Sequence, residues 1–576
     1  MRNGIIGVLV VVLIMVTACT REEVAPVKNS EGLEQGKVWE VFLAEFLDEY
    51  FTINPTFAVY QGKHEFDGLL PDWSEPGLKL QVDSIRKTIA AAGEIDGSLL
   101  TEPQKFEREY LIKVLEGDLF WIEDVDSPHR NPGYYLGSLD PNVYIARPYA
   151  DTATRMRAFI KYATNVPNAA AQIQANLQLP LPKTYLKLGT AGFSGYADYF
   201  TGDAKVAFAM VKDEDLQSQF DVAASAAAVA MQALSDHLRS VAATDDGFAM
   251  GAENFSRMLI KTESVNVSLD ELEAIGRADL KRNQEALTEA CGEFAPDVSI
   301  VECMAVMAAN KPPGGPVLEA RDQLPPLRDF LIENDLVSIP GSEVALVEES
   351  PPYNRQNLAY IDIPGPFETG LPSVYYISPP DPEWDAQTRA AYIPGKMDLL
   401  GTSIHEVWPG HFLNFLHANR ARSLFGKVFV GYAFAEGWAH YSEEMMIEAG
   451  LHDGDPETRI GQLTNALLRN CRYLSSIGLH TQGMTVQQSF EMFRNECYQD
   501  AGNAIQQAAR GTYDPAYLNY TMGKLMIRKL REDWTATRGG RTAWKAFHDE
   551  FLSYGGPPIP MVRMAMMNED MASAVF

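Results

Sequence analysis

Cysteine is scarce in this chain, with five in 576 residues, at positions 19, 291, 303, 471 and 497. None falls in a C-x-x-C pair, which argues against a thiolate metal site. Basic residues are outnumbered: 48 Lys and Arg face 77 Asp and Glu, a net charge of −29. A phosphate backbone needs a basic face, so nucleic acid is excluded as a partner. Internal repeats and low-complexity tracts are also missing, which leaves no basis for a solenoid or array. What remains is ordinary for a globular protein, 46% hydrophobic and 22% charged. The length allows two to four domains or one large helical body with lobes.

The N-terminus reads MRNGIIGVLVVVLIMVTACT. Arg2 gives a short positive region, and the aliphatic run from Ile5 to Val16 is short for a bilayer span. Val16-Thr17-Ala18-Cys19 has the small residues of a processing site and ends in cysteine. This combination is that of a bacterial lipoprotein signal over residues 1–19, with Cys19 lipidated. An ordinary cleaved secretory signal and a membrane anchor are the alternatives. Thr20, not aspartate, follows Cys19; by resemblance to Gram-negative sorting this points to the outer membrane, with the body facing the periplasm. Residues 20–35 are polar and suit a tether. An oxidising compartment permits disulfides. Cys291 with Cys303 and Cys471 with Cys497 are the inviting pairs, although three pairings are open and all four could be buried thiols.

From residue 36 to about 340, apolar residues recur at helical spacing and predict a helical N-terminal lobe. A long helix is expected over 213–243, rich in alanine and leucine. Ser268 should cap a helix beginning LDEL, and the helix after KPPGG (311–315) should break at Pro325 and Pro326. HRNPGYYLGSLDPNVYIARPY should be loop and short turns. Residues 341–576 form the second lobe. NLAYIDIPGPF (357–367) and SVYYISPP (373–380) read as two strands of a small sheet, whose edge could receive an extended peptide. The helical pattern returns at Thr402. The fold class expected is mainly α, with a small β-sheet before the motif that follows.

That motif is HEVWPGHF, from His405 to Phe412. Imidazole and carboxylate groups can hold zinc, and a further carboxylate can take a proton from an attacking water. In the usual H-E-x-x-H helix the histidines lie four residues apart on one face. Here His411 follows His405 by six, which on a straight helix leaves it about 120° away. Pro409 offers the remedy: one helix ends near Val407 and another starts at Pro409, with His411 in its first turn, or a sharp kink serves equally well. Otherwise His405 coordinates alone and His411 orients a carboxylate or donates to an oxyanion. Glu406 is the candidate general base. Downstream, Glu436, His440 and Glu443 share one helical stripe, while Phe434, Trp438, Tyr441 and Met445 form an apolar stripe that anchors it. Glu436 is the candidate third ligand. His440 could complete the site, orient Glu436 or contact substrate.

These residues resemble a bacterial family known as domain of unknown function 885, whose members look like relatives of HExxH-plus-glutamate metallopeptidases. The family pattern H-E-x-x-P-G-H-H falls on His405, Glu406, Pro409, Gly410 and His411, with Phe412 in place of the last histidine. E-G-W-A-x-Y falls on Glu436, Gly437, Trp438, Ala439 and Tyr441. Arg472, Gly478, Leu479, His480 and Gly483 match a third motif in which Ser476 replaces an aspartate, and Tyr520 and Gly523 match a fourth. The resemblance extends over residues 35–570 and is strongest after 400. Arg472 could clamp a substrate carboxylate, and His480 or Tyr520 could donate to an oxyanion.

The expected protein is a lipid-anchored envelope hydrolase holding one zinc ion through His405, His411 and Glu436. It would cleave peptide bonds of short or extended peptides in a cleft between the two lobes. Hydrolysis of a non-peptide amide or ester, and non-enzymatic binding of peptide or protein, are the alternatives.

Overall fold

The computed structural model describes residues 35–351, 355, 358–569 and 574–576. The lipidation expected at Cys19 therefore lies outside the described residues. Helices of eight residues or more are numbered in chain order. The first ten are α1 (Lys37–Ile53), α2 (Glu75–Glu94), α3 (Glu102–Leu119), α4 (Thr152–Asn176), α5 (Lys183–Thr201), α6 (Glu214–Ser240), α7 (Gly251–Glu263), α8 (Leu269–Phe294), α9 (Ile300–Ala309) and α10 (Pro316–Glu333). A sheet of β1 (Ala345–Glu349), β2 (Ala359–Asp362) and β3 (Ser373–Ile377) separates them from the rest. Then come α11 (Lys396–Glu406), α12 (His411–Ala418), α13 (Tyr432–Glu448), α14 (Pro456–Thr481), α15 (Val486–Asn495), α16 (Ala501–Tyr513), α17 (Asn519–Ala536), α18 (Trp544–Leu552) and α19 (Ile559–Met567). The protein is mainly α, as its periodicity implies.

Local signals act where the sequence carries them. The Ser268 side chain accepts from Glu271 N at the start of α8, and Thr101 with Gln104 forms a capping box on α3. The proline- and glycine-rich stretch after α3 forms only short turns of helix, such as Ser127–Arg130 and Gly133–Leu136. Two expectations need correction. α10 runs unbroken through Pro325 and Pro326. Both prolines lie on its exposed face, as do Arg321 and Asp322, so water can satisfy the carbonyls that lose their donors. The helical pattern resumes at α11, six residues before Thr402, after a short helix Ala386–Tyr392.

Among the described residues the sheet has three strands, not two, in the order β1-β3-β2. β1 pairs parallel with β3, and β2 pairs antiparallel. β1, ALVEE, escapes a periodicity search because it lacks apolar–polar alternation and only Val347 is buried.

One hydrophobic core draws on residues from Phe120 to Val575 and includes Leu272, Leu280, Leu399, Trp438, Tyr473 and Phe551. A second, centred on α4 to α6, packs Phe159, Phe193 and Phe220 together with Trp73, Leu78 and Tyr135. A third joins α1 to α3 with Phe425, Val428, Phe429 and Met561. Disulfides link Cys291 to Cys303 and Cys471 to Cys497. The first ties α8 to α9; the second ties the middle of α14 to the turn just after α15.

Candidate metal centre

α11 ends at Glu406 and α12 begins at His411, so the motif is a corner between two helices. The Trp408–Pro409 peptide bond at the corner is cis. Gly410 N donates to Ile404 O at 2.9 Å, folding the second helix back on the first. A Cβ on Gly410 would lie 1.7 Å from the His405 carbonyl oxygen, so only glycine fits. Its role is close backbone packing, and the neighbour it approaches is the chain itself. Trp438 Nε1 holds the corner from α13 by donating to Pro409 O at 2.7 Å.

The corner solves the six-residue spacing. His405 and His411 have their ring centroids 4.7 Å apart. Glu436 Oε2 lies 3.3 Å from His405 Nε2 and 3.3 Å from His411 Nε2. Tetrahedral zinc with ligand bonds of about 2.0–2.1 Å separates its ligand atoms by roughly 3.3 Å, so these two edges have the length a bound ion requires. One donor atom from each of the three residues lies within 4.8 Å of the others. Glu436 Oε2 is buried and has no hydrogen bond of good geometry to either ring.

Around these three sits a polar shell. His405 Nδ1 is 2.8 Å from Glu443 Oε1, and Arg469 donates to Glu443 Oε2 at 2.9 Å. Glu443 is fully buried. Burial and Arg469 both disfavour a charged His405, yet the facing carboxylates of Glu436 and Glu443 prevail and raise it to about 9. Burial would likewise raise Glu436, but the two histidines hold it well below the carboxylate range. A positive charge is thus favoured between the carboxylates, and a divalent cation supplies one. Glu406, adjacent on α11, is raised by burial, partly offset by His411 and His405.

Glu436 and Tyr520 are brought together by a tight helix crossing. A Cβ on Gly437 would lie 2.5 Å from Gly523 Cα, so α13 and α17 touch backbone to backbone. The Tyr520 ring stacks against His405 at 6.4 Å. Arg472 lies over the same Tyr520 ring, 4.8 Å from its centroid. The apolar stripe of α13 is as expected, with Phe434, Trp438, Tyr441 and Met445 all buried.

Two residues singled out from sequence stand elsewhere. His440 is completely buried and turns to Glu443 at 3.6 Å, not to Glu436. Burial lowers it to about 4, and with no exposed surface it offers substrate nothing to touch. His480 lies two turns beyond Arg472 on α14, about 12 Å along the axis. Its Nε2 is 2.7 Å from Gly511 O, and its ring stacks on Phe255. It lines a cavity of about 950 Å³ between the N-terminal helices and α13, α14 and α16, whose wall contains none of His405, His411 and Glu436. Conversely, sequence reasoning gave no role to Glu443 and did not single out Arg469 or Arg510. The available signals were the place of Glu443 on the Glu436 stripe and the three-residue spacing of Arg469 from Arg472.

Among solved structures, the chain resembles a candidate lipoprotein of unknown function from Shewanella oneidensis, at 23% identity and a TM-score of 0.74, covering 92% of this chain and 99% of that one. It also resembles a candidate lipoprotein from Colwellia psychrerythraea, at 16% identity and a TM-score of 0.74, covering 93% and 99%. At these identities the likeness shows the fold. No curated protein matches the chain. The description "bacterial protein of unknown function (DUF885)" matches residues 55–566, and the chain belongs to that family.

Proposed function

We propose that this protein is a zinc-dependent peptidase of the bacterial cell envelope, anchored by lipid at Cys19. The observation that carries the reading is the position of Glu436 Oε2, 3.3 Å from both His405 Nε2 and His411 Nε2. Zinc held there would supply Lewis acidity toward a carbonyl and toward water. Glu406 is the one carboxylate within the corner motif; it accepts the proton of the attacking water and returns it to the leaving amine. Tyr520, kept protonated by burial and by the charge of Glu436, donates to the developing oxyanion.

A peptide substrate is favoured by the sheet. β2 is an edge strand. Ser378 N donates to Leu358 O, and hydrogen-bonded pairs alternate along an antiparallel ladder, so Ala359 and Ile361 turn their backbone groups away from β3. Tyr375, opposite Ile361, is near enough to Glu406 to feel its charge. An extended peptide added to this edge would therefore run beside the corner motif. The candidate-lipoprotein relatives, together with the cysteine-ending signal of this chain, support the envelope location and the anchor. The absence of Asp after Cys19 favours the outer membrane.

The test is metal content and turnover of a mixed peptide library, measured on protein purified without chelator. Glu406→Gln should retain one zinc per chain and lose hydrolysis by about 10²–10⁴-fold. A chain that binds no zinc, or that cleaves acylated small molecules and no peptide, overturns the reading.

A further inference from the structure

Three guanidinium groups surround the Tyr520 ring: Arg472 at 4.8 Å, Arg469 at 5.6 Å and Arg510 at 5.9 Å from its centroid. Two of them are neutralised. Arg469 is paired with Glu443 at 2.9 Å and Arg510 with Asp514 at 2.8 Å. Arg472 differs. It is only 8% exposed, its Nε donates to the neutral Gln507 Oε1 at 2.8 Å, and among the described residues no carboxylate pairs with it. Ser476, one turn along α14, gives its hydroxyl to Pro515 O and brings no charge. Burial, then the like charges of Arg510 and Arg469, pull Arg472 below the usual arginine range.

An unpaired buried cation is expensive to maintain. This one sits in a chain with a surplus of 29 negative charges, where counter-ions would be easy to supply. Its position beside the metal centre is equally specific. Tyr520 is the shared wall, with its ring 6.4 Å from that of His405 and 4.8 Å from the Arg472 guanidinium carbon. An extended residue spans roughly 3.3–3.6 Å, so one or two residues bridge from a carbonyl at the centre to the terminal nitrogens of Arg472.

We propose that Arg472 receives the free C-terminal carboxylate of the substrate, so that the enzyme removes one or two residues from peptide C-termini. The planar fork of Arg472 accepts a carboxylate through two parallel N–H···O bonds. Binding supplies the missing counter-ion, and a peptide without a free C-terminus forfeits it. This inference rests on the peptidase reading for its catalytic half, but the carboxylate receptor itself can be measured without turnover.

The experiment uses one pentapeptide made as the free acid and as the C-terminal amide. The zinc-loaded protein should cleave the acid with a kcat/KM about 100-fold above that of the amide. Zinc-loaded Glu406→Gln should bind the acid more tightly than the amide in calorimetry, and the preference should collapse when Arg472→Gln is added. Arg472→Lys, which keeps the charge but not the fork, should retain part of it. Equal cleavage of acid and amide overturns the carboxylate receptor and leaves the peptidase standing. Selective binding of the acid without cleavage of either leaves the receptor standing and overturns the peptidase. Equal binding, or no binding of either, overturns the receptor.

Discussion

Glu443 holds His405 from behind: its Oε1 is 2.8 Å from the imidazole Nδ1, while Arg469 fixes its other oxygen at 2.9 Å. The contact leaves Nε2 as the atom directed at Glu436 and sets the ring's orientation. Glu443→Ala is therefore expected to weaken zinc binding about 10–100-fold, read by competition with a chromophoric chelator. Unchanged affinity would show that α11 alone orients the ring.

Gly410→Ala tests the corner. The added methyl would meet the His405 carbonyl oxygen at 1.7 Å, a backbone atom that cannot rotate away. The substitution should cost about 3 kcal/mol or more, seen as a lower melting temperature together with loss of metal. Retention of both would mean that the corner can open without consequence.

Glu263 supplies a pH dependence away from the metal ligands. It is buried at the end of α7, where Asn519 donates to it at 2.8 Å, and burial raises it to about 8. An acid whose folded pKa is raised favours folding only while protonated. Stability from this group is present below the unfolded value, about 4.3, and is lost as the pH climbs through the folded value of about 8. Glu263→Gln should remove that loss, raising the melting temperature at pH 9 by about 2 °C relative to the parent. Thermal scans at pH 5 and pH 9 provide the check; an equal effect at both would reject the assignment.

The Cys471–Cys497 bridge closes a loop with a sequence separation of 26. Replacing both cysteines with serine should cost about 3 kcal/mol, measured by denaturant unfolding. The substitution should also lower zinc affinity, because Cys471 lies between Arg469 and Arg472 on α14.

The helical class, the cap at Ser268 and the helix break at the corner motif were legible in the sequence because each depends on a few adjacent residues. Grouping His405 with His411 was legible because Pro409 announces the corner, and Glu436 joined them through the chemistry of a zinc ligand set. The limits are equally physical. His440 shares a stripe with Glu436, but whether that side of α13 meets a cleft or the packed interior depends on α14 and α17, which arrive later in the chain. Arg469 gains its meaning from Glu443, 26 residues earlier, and His480 loses its expected place because 12 Å of helix carries it past the histidines. Helix α10 resisted its prolines because both face water, a tertiary fact absent from the local pattern.

Tyr110 of α3 reaches the Phe429 carbonyl, and Glu107 accepts from Phe425 N at 3.0 Å and from Trp39 Nε1 at 2.7 Å. These bonds fasten the opening helices to the connector that joins the two histidines to Glu436. Anyone cutting the chain to express the histidine-bearing portion alone would leave that connector without its moorings and open Phe425, Val428 and Phe429 to solvent. The opening helices work as a clamp on the segment between His411 and Glu436, and loosening them is a route by which a far-off substitution would disturb the candidate metal centre.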